Sequence, residues 1–280
     1  MLLATNRVPL SLVLGIRTSK PEMITIIVRS IRKPQTYYIR RQTEIDGERE
    51  YILNLPQSPK GTEVLIFNSA VGNLPSNQDP SFQITEFKTE SLQTCPINMK
   101  FGTESFVKFA QWFSENASIL SGTVQGKPST YRSNDGKFQI DYFNKIVDRD
   151  TGRVLTTPAR IGHTSGIIEV SKSDFLRYTV PMRMIILLHE YAHKYLNPEV
   201  NKPIAYETGA DINALNIYLA LGYPPAEAYY AFLHVFKDAN NADNAKRYHI
   251  LNDFIKKFKN GEIEGSCKLK TNIIGDKKSK

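Results

Sequence analysis

Apolar positions recur at strand-like intervals through the first ninety residues and at helical intervals through the last hundred, and this change of period organises the chain. Alternating or β-branched runs at 23–29, 36–40, 50–55, 63–67 and 81–87 predict short strands. Turn-forming clusters separate them at Asp46-Gly47, Pro59-Lys60-Gly61 and Gly72 through Pro80. Near-regular spacing with no helical pattern between predicts a small β-sandwich. The apolar run at 9–16 is too short to span a bilayer and lacks the basic leader of an export signal, so no membrane or signal segment is expected.

Beyond Pro96 the texture changes. Phe106, Phe109, Ala110 and Phe113 lie at helical spacing and predict a helix over 103–120. Residues 137–143 with 145–147 read as a strand that turns at Asp150-Thr151-Gly152 into 153–156, a hairpin. Residues 166–170 read as a further strand, placed at a sheet edge where an extended peptide could add beside His163. From Pro181 onward four helices are expected, at 181–196, 206–221, 225–237 and 242–259. They are broken at Asn197-Pro198, Gly222-Tyr223-Pro224-Pro225 and Asn240-Asn241. Strands followed by helices make an α+β chain. Its expected divisions are a β-sandwich-like accessory domain at 1–96, a second domain at 97–262 combining a small sheet with helices, and a basic tail at 263–280.

Composition narrows the function classes. A chain 41% hydrophobic and 23% charged is neither collagen-like nor disordered. The net charge of +8 invites a nucleic-acid reading, but ten Lys and Arg against four Asp and Glu after residue 244 supply most of it. Terminal basicity without a recognised module predicts a solvated tail, ending in Lys277-Lys278-Ser279-Lys280, and no specific nucleic-acid binding. Cys95 and Cys267 are too few for a disulfide framework or a thiolate metal cage and read as two unrelated thiols, with a single bridge between them as the alternative.

The five histidines matter more for being few. His189 and His193 are four apart in the predicted helix 181–196, so both imidazoles share one face and can chelate one metal ion. Glu190, one step round the helix, can face water beside that metal as a general base; this is the H-E-x-x-H arrangement of zinc hydrolases. Thirteen residues separate His193 from Glu207, enough to turn and bring a second helix back antiparallel, and Glu207 supplies a third ligand. Asp211, one turn further on the same face, is placed to orient a ligating imidazole. The group opposite the metal, needed to stabilise an oxyanion, is sought among Tyr223, Arg247 and His249, with His234 and Tyr248 behind them.

His189-Glu190-Tyr191-Ala192-His193 followed by Glu207-x-x-Ala210-Asp211 resembles the gluzincin metallopeptidases with a Glu-x-x-Ala-Asp second motif, over residues 161–258. The resemblance implies a zincin-like fold for the second domain, Zn²⁺ held by His189, His193 and Glu207, Glu190 as base, Asp211 behind the ligands, and a peptide or protein substrate. The segment from Asn240 to Arg247 is similar to a later family stretch carrying an arginine, without that stretch's histidine. Residues 157–161, 166–171 and 217–223 also resemble zinc peptidase domains encoded by tailed phages of gut bacteria, some of them in virion proteins. That second likeness implies bacteriophage origin and a cytoplasmic or virion-associated place. It offers the alternative of a structural protein of the virion, meeting like or unlike partners through its N-terminal domain.

Overall fold

A computed structural model describes residues 1–72, 79–196, 203–236 and 242–269. The chain is mixed α+β and divides into two compact units, Met1–Gln93 with Gly222–Pro224, and Thr94–Leu221 with Pro225–Lys268. The predicted breaks at Asn197-Pro198 and Asn240-Asn241, and the Lys277–Lys280 run, lie outside the described residues. No helix among the described residues is long and apolar enough to cross a membrane.

The first unit contains two antiparallel sheets. One orders its strands β1 (Leu2–Leu3), β6 (Thr62–Asn68), β3 (Glu22–Ser30) and β4 (Tyr37–Ile45). The other places β2 (Leu10–Thr18) between β5 (Glu48–Leu55) and β7 (Phe82–Ser91). In β3 every second residue is buried, the alternation expected of a strand with one face to the core. In β2 the six residues Ser11 to Ile16 are all buried, so the strand shows no alternation and reads from sequence merely as an apolar run. Gly15 lies where the β2–β7 register shifts, and a Cβ there would meet Thr85 Oγ1 at 2.5 Å; glycine lets the two backbones close.

The second unit contains a four-stranded sheet, ordered β10 (Ala159–Ile161), β11 (Ile168–Ser171), β9 (Gln139–Phe143) and β8 (Ser129–Arg132). Only the β11–β9 pair is parallel. One expectation is corrected here. Strand 166–170 is not an edge: β11 is flanked on both sides, and the edge beside it belongs to the three-residue β10, too short to show periodicity. The hairpin 145–156 is present in short form, with an antiparallel bridge of Val147 to Val154, Asp148 N donating to Arg153 O and Leu155 N to Ile146 O, and Asp148 turning its side chain onto the amides of Asp150 and Thr151.

Six helices complete this unit: α1 (Phe101–Asn116), α2 (Lys172–Phe175), α3 (Val180–Tyr195), α4 (Pro203–Ala220), α5 (Pro225–Phe236) and α6 (Ala242–Asn260). The centre is α3, which packs on α1, α4, α5, β10 and β11. Thr179 caps its start by accepting from the Met182 amide, and Pro181 stands in the first turn, where its missing N–H costs nothing. Every residue from Val180 to Leu188 is buried, including Arg183 at 0% exposure. The Arg183 guanidinium donates to the carbonyls of Phe175, Ser114 and Leu176 at 3.1–3.2 Å, which ties the C-terminal ends of α1 and α2 to α3. Aromatic rings fill the α1 side, with Phe106 stacked on Tyr191 at 4.2 Å and Phe113 edge-on to Tyr142 at 5.1 Å.

The two cysteines are joined. Cys95, just before α1, and Cys267, just after α6, form a disulfide between the ends of the second unit, which corrects the expectation of unrelated thiols. A separation of 172 residues hides such a pairing from sequence inspection, because only the fold brings the two ends together.

Candidate metal centre

The buried run of α3 carries its last two turns under α4, and the residues that meet there are His189 and His193 of α3 with Glu207 of α4. Four-residue spacing on α3 sets the imidazole Nε2 atoms 2.9 Å apart. Glu207 Oε2 lies 3.5 Å from His189 Nε2, and Oε1 lies 3.5 Å from His193 Nε2. Two imidazole nitrogens at 2.9 Å cannot both aim lone pairs at each other, so a proton or a cation must lie between them. Bonds of about 2.0–2.1 Å to a tetrahedral zinc ion place neighbouring ligand atoms roughly 3.3 Å apart, and the three separations bracket that value. His189, His193 and Glu207 therefore form a group able to hold a metal ion.

Behind this group stand Asp211 and Arg247. Asp211, with no exposed surface, places Oδ1 2.8 Å from His189 Nδ1, an ion-pair contact whose angle falls short of a full hydrogen bond. Its Oδ2 accepts from Arg247 Nε at 3.0 Å and Nη2 at 2.8 Å, and the same Nη2 donates to Glu207 Oε2 at 3.1 Å. One guanidinium from α6 thus grips two carboxylates of α4, and both of those carboxylates face His189.

The charges respond to this packing. Burial opposes charge on His189, but Asp211 and Glu207 outweigh it and raise its pKa to about 10. Burial and then the neighbouring His189 lower His193 to about 4. Burial works to raise Glu207, yet His189, His193 and Arg247 together bring it down to about 2. Glu190 moves the other way: burial, with Glu207 nearby, lifts its carboxyl to about 7 against the pull of His189 and a hydrogen bond from the Ile161 amide.

That amide belongs to the sheet edge. Gly162 N donates to Ile167 O and Ser171 N to Pro158 O, so residues 158, 160 and 162 spend their backbone groups on β11. The backbone of Ala159 and Ile161 points to the opposite side, where Glu190 stands. Beside it opens a cavity of about 250 Å³, walled by Ile185, Ile186, Ala231 and Phe232 and reaching Glu190 and Arg247.

The residues considered for the oxyanion do not converge. Arg247 is engaged behind the ligands. His249 is exposed on α6, and Tyr223 lies in the first unit, where its hydroxyl donates to Gln57. His234 is exposed on α5 with its ring 6.3 Å from Tyr178, and Tyr248 packs on Tyr229. Conversely, Tyr206 is not among the site residues expected from the sequence, where its helical spacing reads as core, though its ring stacks on His193 at 4.4 Å and its hydroxyl donates to the His193 carbonyl. No model of a protein family matches this chain, and no curated protein or solved structure matches it.

Proposed function

We propose that the chain is a zinc-dependent peptidase. The observation that carries this reading is the double placement of Glu190, adjacent in α3 to the two-histidine, one-carboxylate group and lining one cavity with Pro158 and Ala159 at the open strand edge. Zinc suits two imidazoles and a carboxylate, a donor set that catalytic zinc sites share. Held by His189, His193 and Glu207, it would supply Lewis acidity towards a carbonyl oxygen and towards water.

The chain's own residues perform the remaining work. Ala159 N and Ile161 O offer backbone hydrogen bonds to an extended peptide lying along β10, while Ala159 O already accepts from the Thr157 hydroxyl. The apolar cavity accepts one of the peptide's side chains. Glu190 takes a proton from water as the water oxygen bonds to the peptide carbonyl carbon, then returns it to the nitrogen as the C–N bond breaks. Asp211 and Arg247 keep His189 and Glu207 oriented throughout.

The test measures bound zinc and hydrolysis of a quenched-fluorescence peptide library by wild type and Glu190→Gln. One zinc per chain in both, with cleavage reduced about 10²–10⁴-fold in the variant, is expected. Zinc in both with cleavage in neither would remove the peptidase reading. Wild type folded with zinc but binding none would remove the ligand assignment as well.

A further inference from the structure

His163 sits in the turn from β10 to β11, exposed to solvent and yet anchored from two helices. Lys194 Nζ donates to its carbonyl and, at 3.1 Å, to that of Thr164. Gly166 closes the turn at φ +70°, and a Cβ there would collide with the Tyr195 hydroxyl and come within 3.0 Å of Lys194 Cε, so the turn lies directly on the end of α3. The His163 ring is held separately: its Nδ1 is 3.1 Å from the Tyr206 hydroxyl.

That contact determines the tautomer. The Tyr206 hydroxyl has one proton and donates it to the His193 carbonyl, which can only accept. Nδ1 of His163 must therefore be the donor to Tyr206, and the neutral ring carries its lone pair on Nε2. No hydrogen-bond partner for Nε2 is found among the described residues. Ordering an exposed side chain costs conformational entropy, and here contacts from α3 and α4 order one imidazole whose ring centroid is 6.5 Å from that of His193.

The strand edge gives this lone pair an occupant. Strand β10 packs on α3, and its last residue, Ile161, precedes His163 by two residues, about 6–7 Å of extended chain. The apolar cavity lies the other way, beside Pro158 and Ala159. A peptide along β10 with its cleaved bond at Glu190 passes the cavity on one side and His163 on the other. We propose that His163 is a substrate-binding residue whose Nε2 accepts a hydrogen bond from a backbone N–H of the bound peptide, about two residues from the cleaved bond. This rests on the peptidase reading above.

The test uses the best-cleaved member of a quenched decapeptide library, resynthesised with each backbone amide methylated in turn. Loss of one ordinary hydrogen bond predicts that His163→Ala raises KM about 3–10-fold with kcat within about two-fold and zinc content unchanged. His163→Gln, whose side-chain oxygen reaches near the Nε2 position, restores part of the affinity. One methylated peptide binds wild type more weakly by the same factor but does not distinguish itself on His163→Ala. The Kd of the unmodified peptide on Glu190→Gln protein shifts equally when His163→Ala is added. Nitrogen-15 NMR of the metal-free protein shows the Nδ1–H tautomer at His163. An unchanged KM and Kd, a fall in kcat alone, loss of zinc from His163→Ala, or an Nε2–H tautomer would each overturn the assignment. If zinc-loaded wild type cleaves no library member, the peptidase reading falls and takes this proposal with it. If cleavage depends on Glu190 while His163→Ala changes nothing, this proposal falls alone.

Discussion

Two buried arginines of the second unit do opposite jobs. Arg183 is wholly buried in the apolar half of α3 and spends its guanidinium on three neutral carbonyls. Arg247, 7% exposed on α6, spends its guanidinium on two carboxylates that surround the metal group. A cation among carbonyls ties helix ends together and leaves chemistry alone. A cation among carboxylates sets where those carboxylates stand and how much negative charge they present. Residue type and burial do not distinguish the two; the partners do.

The comparison breaks if either arginine can be exchanged for an apolar residue without its own consequence. Arg183→Met takes the guanidinium donors away from three carbonyls, of which the one at Phe175 keeps the Tyr178 amide, and is expected to cost about 3–5 kcal/mol in urea unfolding. Its folded fraction should bind zinc with wild-type affinity. A fall in metal affinity without loss of stability would place Arg183 with the site instead of the frame.

A second frame element serves as a control remote from both arginines. Replacing Cys95 and Cys267 together by serine frees the ends of the second unit, with an expected loss of about 2–4 kcal/mol measured by denaturation with and without reductant. Zinc affinity should not move. Wild type that unfolds identically in reductant and oxidant would show that the bond carries no stability.

The smallest effect is expected at Arg247. Arg247→Met should weaken zinc binding about 10–100-fold in a chelator competition, with Arg247→Lys recovering part of it, because a single ammonium can meet Glu207 or Asp211 but not fork between them. An unchanged affinity in the methionine variant would reduce Arg247 to a packing residue like Arg183.

How far the sequence anticipates this arrangement varies with the range of the interaction. The helical period through Phe106, Phe109, Ala110 and Phe113 marks α1, and the four-residue interval of His189 and His193 places two imidazoles on one side of α3, since 3.6 residues per turn is a local property. The interval from Glu207 to Asp211 works likewise within α4. Strand β2 escaped notice because both its faces are buried and its period vanished. Strand β10 escaped because three residues carry no period at all.

The sequence alone therefore determined the local half of this protein: which segments coil, and which side chains share a helix face. Tertiary structure decided the rest. It carried Glu207 to the two imidazoles and brought Arg247 from 40 residues beyond Glu207 onto both carboxylates. It joined Cys95 to Cys267, made β10 the open edge beside Glu190, and lodged His163 against Tyr206. Helix geometry follows from bonds four residues apart. Sheet order and the convergence of separate helices follow from burial across the whole chain, which no short window of sequence contains.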